Sequence, residues 1–110
     1  MWRWSIRWHR ETRQQMDLIE ASRALDQHIR LLREIPYMAL KRLVEGRVIE
    51  APEIEGPSGA RYYLEVQAFW DSQPDGNIRL VAAIDDGGIR AYRPLTRGFI
   101  KAPDGSFVGE

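Results

Sequence analysis

Cysteine is absent from this chain of 110 residues, which excludes disulfides and thiolate-held zinc. Histidine is nearly so. Only His9 and His28 occur, and no second His or carboxylate stands beside either at metal-ligand spacing. Lysine occurs twice against fourteen arginines, which we take as the coding mark of a GC-rich bacterial genome. No apolar run approaches the ~20 residues that a membrane-spanning helix needs. The first residues carry the positive charge of a secretory signal but neither its apolar stretch nor its small-residue cleavage site. With cysteine missing as well, the expected compartment is the cytoplasm, and a membrane is not an expected partner.

The parts for catalysis are equally sparse. Hydroxyls are few, and none sits in a nucleophile-elbow context. The loop Gly56-Pro57-Ser58-Gly59-Ala60 is followed by no lysine and opens no helix, so it makes a poor phosphate cradle. Asp71, Gln73, Asp75, Gly76 and Ile78 fit the start of a calcium-binding loop. The twelfth position, which should hold a bidentate glutamate, is Ala82. The tandem Asp85-Asp86 before Gly87-Gly88 is better explained as hairpin-turn chemistry than as a cation site. These absences lead us to expect a non-enzyme with no metal and no cofactor.

Charge is balanced in total and uneven in place. Residues 1–15 hold four arginines against one glutamate, a net of +3, whereas the remaining chain holds twelve cations against fifteen carboxylates, a net of −3. A mildly acidic body is not what a phosphate-backbone reader requires. In the opening stretch Trp2, Trp4, Ile6 and Trp8 alternate with Arg3, Ser5, Arg7 and His9, which is the period of a strand. That stretch admits three readings: an edge strand, a contact for an anionic surface, or a preface to a natural start at Met16. We read residues 1–11 as a poorly ordered, Trp/Arg-rich extension and 12–110 as one α+β domain.

Within the domain, Thr12 and Gln15 have the form of a capping box. Leu18, Leu25, Ile29 and Leu32 then recur on one helical face, with Ala21, Ser22 and His28 between them, predicting a helix over about 12–34. Pro36 ends that pattern and opens a second helix over about 36–45, which Gly46 is placed to stop. Strands are expected at about 47–51, 61–71, 77–85 and 89–95, followed by a weak hairpin over 99–108.

A three-residue turn at Pro74-Asp75-Gly76 would pair Trp70 with Leu80, Ala68 with Ala82 and Val66 with Ile84. A two-residue turn at Asp86-Gly87 would pair Ile84 with Ile89, Ala82 with Ala91 and Val81 with Tyr92. One face then collects Leu64, Val66, Ala68, Trp70, Ile78, Leu80, Ala82, Ile84, Ile89 and Ala91, all apolar. The expected fold is therefore α+β, with two N-terminal helices packed on one face of a 3–5-stranded antiparallel meander.

The opposite face carries the candidate interaction surface: Tyr63, Phe69, Arg79, Val81, Arg90 and Tyr92, with Phe69, Val81 and Tyr92 side by side and arginines around them. Aromatics ringed by arginine are enriched in protein interfaces. We therefore expect binding to another protein, or self-association, through this face. The alternative is single-stranded nucleic acid. The run from Arg90 to Lys101 interleaves cations with Tyr92 and Phe99, and Arg79, Arg90, Tyr92, Arg93 and Arg97 would need to form one continuous exposed patch.

Overall fold

A computed structural model describes the backbone of residues 2–85 and 95–110, and the side chains of residues 18–85 and 95–110. Two helices, α1 (Trp2–Arg33) and α2 (Tyr37–Gly46), precede four strands, β1 (Glu53–Glu55), β2 (Arg61–Trp70), β3 (Ile78–Asp85) and β4 (Leu95–Lys101). The strands form one antiparallel sheet in the order β1-β2-β3-β4, so the chain is an α+β fold with its helices first. No helix among the described residues is long and apolar enough to cross a membrane.

Helix α1 begins at Trp2, well before the cap expected at Thr12. Trp4 and Trp8, like Arg3 and Arg7, stand four apart, a spacing that suits a helix as well as their alternation suits a strand. The side chains of residues 2–17 lie outside the described residues, and with them the reading of 1–11 as a loosely packed extension. From Ala21 onward the expected face is in place. Ala21 and Leu25 are buried, and Ala24, Ile29 and Leu32 pack against them.

Pro36 divides the helices. It sits at the N-cap of α2 with φ −62° and ψ 150°, and its carbonyl accepts the first bonds of α2, from the N–H groups of Ala39 and Leu40. Gly46 closes the helical run, but the left-handed residue that stops it is Arg47, at φ 52°. The N–H groups of Arg47 and Val48 then satisfy the carbonyls of Val44 and Leu43, two of the acceptors a helix end leaves open. A non-glycine residue pays a steric cost for that geometry.

The apolar face of the sheet is the one the alternation foretold. Tyr62, Leu64, Val66, Ile78, Leu80, Ala82 and Ile84 are buried, with Ala68 and Trp70 partly so, against Leu25 and Leu40 from the helices. One register expectation is corrected. Trp70 faces Ile78, Ala68 faces Leu80 and Val66 faces Ala82, a shift of two residues. The connection is the whole segment 71–77, closed by Asp71 N–H donating to the Asn77 carbonyl and by Gly76 N–H donating to that of Gln73. A shift of two preserves which face each side chain occupies.

On its other edge β3 pairs with β4. Ile84 pairs with Leu95, Ala82 with Arg97 and Val81 with Gly98. Residues 86–94, including the expected Asp86-Gly87 turn and its pairs at Ile89, Ala91 and Tyr92, lie outside the described residues.

The strand expected at 47–51 does not form either. Only Glu50 bridges to Val66, while Val48 and Ile49 are exposed as the chain turns out of the helix; the first strand proper is β1. After β4 the weak hairpin is reduced to a bridge between Lys101 and Phe107, with the Ala102 and Val108 N–H groups donating to the carbonyls of Ser106 and Ile100.

That last segment locks the helix joint. Lys101 is 6% exposed, and its Nζ donates to the carbonyls of Arg33 and Ile35, each at 2.8 Å. The Arg33 guanidinium lies 3.7 Å from the centre of the Phe107 ring and forms a two-pronged pair with Glu110 at 2.8 and 2.6 Å. Phe107 meets Phe99 edge to face, 5.5 Å between centroids.

Candidate functional site

Among the described residues, the helices cover one side of the sheet and no element covers the other. Register assigns the residues of the bare side in rows across the strands. Glu53, Tyr63 and Asp85 form one row, Glu65, Ala83 and Thr96 the next, then Gln67, Val81 and Gly98, then Phe69, Arg79 and Ile100. Tyr63 and Phe69 are 46% and 41% exposed. Between them Val81, Ala83 and Ile100 are half-buried beside Gly98, so the centre of the face is a low apolar trough with an aromatic ring toward each end. Gly98 is required by its neighbour, because a Cβ there would lie 2.5 Å from the Leu80 carbonyl oxygen.

Charge surrounds the trough. Glu53, Glu55, Glu65, Asp71 and Asp85 stand against Arg61 and Arg79, a net of −3 among the described residues. Arg61 pairs with Glu53 at 3.1 Å, and Arg79 reaches Asp71 at 2.9 Å. Glu65 accepts a bond from the Gln67 side chain at 2.6 Å. Around the edge of β2 the surface continues into a groove of about 310 Å³ lined by Val44, Val48, Ile49 and the Gln67–Trp70 end of the strand. Phe69 belongs to both.

Of the sequence-predicted site residues, Tyr63, Phe69, Arg79 and Val81 share this face. Their arrangement differs from the expected one: Phe69 is opposite Arg79, and Val81 lies between Gln67 and Gly98. Arg90, Tyr92 and Arg93 lie outside the described residues.

Arg97 is elsewhere. It pairs with the inward-facing Ala82, and its guanidinium bonds Asp26 at 3.2 Å, Ser22 at 3.4 Å and the Thr96 carbonyl at 2.8 Å. Arg79 and Arg97 therefore stand on opposite faces of the sheet. Phe99 and Lys101, which the sequence pattern offered as part of a basic-aromatic run, are buried.

A second concavity, of about 560 Å³, lies between α1 and the β1–β2 loop. Its wall includes Arg23, Gln27 and His28 from the helix and Ile54 and Tyr62 from the sheet. His28 is half-buried, as its place on the helix implied. Its Nδ1–H donates to the Ala24 carbonyl at 3.0 Å. At the rim the Ser58 hydroxyl donates to Glu20 at 3.0 Å, and Gly56 lets that carboxylate close in, since a Cβ there would collide with it. The Gly-Pro-Ser-Gly loop thus anchors the hairpin to the helix. Sequence reasoning missed this contact; its one available signal was the small residues of the loop facing a long helix.

The carboxylates of the discarded calcium pattern are held by cations: Asp71 by Arg79, and Asp75 by Lys41 at 2.6 Å. Asp75 in turn raises the Lys41 ammonium above the usual lysine range through that hydrogen bond. No group of three or more metal-ligating side chains occurs among the described residues. Comparisons with protein-family models, with curated proteins and with solved structures give no match.

Proposed function

We propose that this chain is a non-catalytic binding domain that meets a protein partner through the outer face of its sheet. The observation that carries the reading is the uncovered trough itself, with Tyr63 and Phe69 both more than two-fifths exposed at its ends. A face meant only for water has little use for two large aromatic rings, whereas interface centres are enriched in them. The groove beside Ala68 and Trp70 extends the apolar area past the strand edge.

Among the described residues of this face, a nucleic-acid backbone would meet five carboxylates and two guanidiniums, a balance that favours a protein partner over phosphate. We propose a bacterial cytoplasmic setting for the domain, a reading that the excess of arginine over lysine and the cysteine-free composition support.

Site-specific photocrosslinking in cells tests this reading. A photoreactive residue at Val81 should give a discrete adduct that disappears when Phe69→Ser is added, while the same group at Asp104 should give none. Equal labelling from both positions, or none from Val81, would remove the outer face from consideration.

A further inference from the structure

The occupant of the outer face can be named more closely, on the premise that this face is the binding surface. We propose that it takes a second copy of this chain, which contributes its own basic N-terminal segment, residues 2–15. Complementary charge carries the inference. The face bears a net of −3 among its described residues, and residues 1–15 bear +3. The chemistry also matches in kind. The segment supplies three tryptophans, an isoleucine and four arginines, and the face supplies an apolar trough bordered by the exposed Glu55 and Glu65.

Geometry decides between the same chain and another. Helix α1 runs unbroken from Trp2 to Arg33, a rod of about 48 Å at 1.5 Å per residue. Its described core contacts begin at Ala21, on the covered side of the sheet. About 24 Å of helix therefore lies on the N-terminal side of Leu18, in a molecule with principal extents of 59 × 23 × 21 Å. Such a helix cannot turn round the sheet edge to reach the outer face of its own chain without breaking. It can reach a neighbour. Because each copy owns both the segment and the face, a two-fold arrangement satisfies both contacts at once and closes on itself.

The test is sedimentation equilibrium on the full chain, with charge-swapped variants. The wild type should be a dimer at low salt, weakened about tenfold or more at high salt, where screening reaches only a few ångströms. Glu55→Lys with Glu65→Lys should give a monomer, and so should Arg3→Glu with Arg7→Glu. Mixed one to one, these two monomers should recover the dimer, since each reversed segment then meets a reversed face. Thermal melts of the variants check that both remain folded.

A wild type that is monomeric at every concentration overturns the proposal. So does a mixture that stays monomeric. A dimer that ignores both charge reversals but is lost on Phe69→Ser refutes the segment as occupant while keeping the outer face as the binding surface. Monomers that bind anionic vesicles or single-stranded oligonucleotides through residues 2–15 also refute it, by giving the segment another target.

Discussion

Replacing Lys101 with methionine tests the joint between the helices most directly. The substitution keeps a long, unbranched chain at a site that is 6% exposed and removes the ammonium that holds the carbonyls of Arg33 and Ile35 at 2.8 Å each. Those carbonyls belong to the end of α1 and the residue before Pro36. Pro36, three residues after Arg33, has no N–H to offer, and the Ala39 N–H, four after Ile35, donates to the Pro36 carbonyl instead.

Two charge-assisted bonds contribute about 1.5–3 kcal/mol apiece, and each carbonyl left buried and unpaired adds its own penalty. Against this, methionine relieves the cost of desolvating a cation, which amounts to several kcal/mol. The net loss is then about 2–4 kcal/mol. In a domain of this size about 1 kcal/mol moves Tm by roughly 4–8 °C, so the variant should melt about 8–32 °C below the wild type. Urea denaturation followed by circular dichroism, with an unchanged slope, gives the free energy itself. A loss below about 1 kcal/mol would refute the argument, for it would mean that the two carbonyls find water or close on themselves when the lysine is gone.

Three further outcomes are expected. Gly98→Ala should cost about 1–3 kcal/mol by prising β4 from β3, because the new methyl meets the rigid Leu80 carbonyl at 2.5 Å; an unmoved urea midpoint would contradict this. Tyr63→Ser combined with Phe69→Ser should leave stability within about 1 kcal/mol of the parent while abolishing association, since both rings are exposed. The C-terminal strap should loosen in acid. Hydrogen bonding to Arg33 holds the Glu110 carboxyl below its ordinary value, so the folded state binds fewer protons than the unfolded one, and this contribution is present above the ordinary carboxylate range and lost as pH falls through the lowered value. The protection factor of the Val108 N–H, which donates to Ile100, measured against the intrinsic exchange rate at each pH, should therefore fall at low pH in the wild type and lose that dependence in Glu110→Gln.

What could be read from the residues was parity, and what could not was register. Leu64, Val66, Ile78, Leu80, Ala82 and Ile84 announce a buried face at period two, and a displacement of two residues leaves that pattern untouched. Only the loop distinguishes the alternatives, and Pro74-Asp75-Gly76 suggested a tight turn where the chain uses seven residues. The fourth strand was hidden for a related reason. Two stretches could have followed the Asp86-Gly87 signal, and the one that pairs with β3 places Arg97 and Lys101 on the core side.

A cation there looks like an error until its acceptors are known, and the carbonyls of Arg33 and Ile35 are some 66 residues away in sequence. Nor could the sequence say that Arg97, grouped with Arg79 in the nucleic-acid alternative, is turned toward α1 by Asp26 and Ser22. Tyr63, Phe69, Arg79 and Val81 were legible as a common face because alternation alone assigns them. Their neighbours across the strands were not.

The lysine latch also sets an order of events. Neighbouring strands of a meander close short loops, and such contacts form quickly. The bond from Lys101 to Arg33 spans 68 residues, and it completes only once β4 has joined the sheet. A chain leaving the ribosome therefore carries two helices whose hinge has no clasp until the final strand emerges. Until then α2 can already rest on β2 and β3, while the part of α1 that packs on β4 stays open to solvent and to chaperones and the joint between the helices stays unclasped.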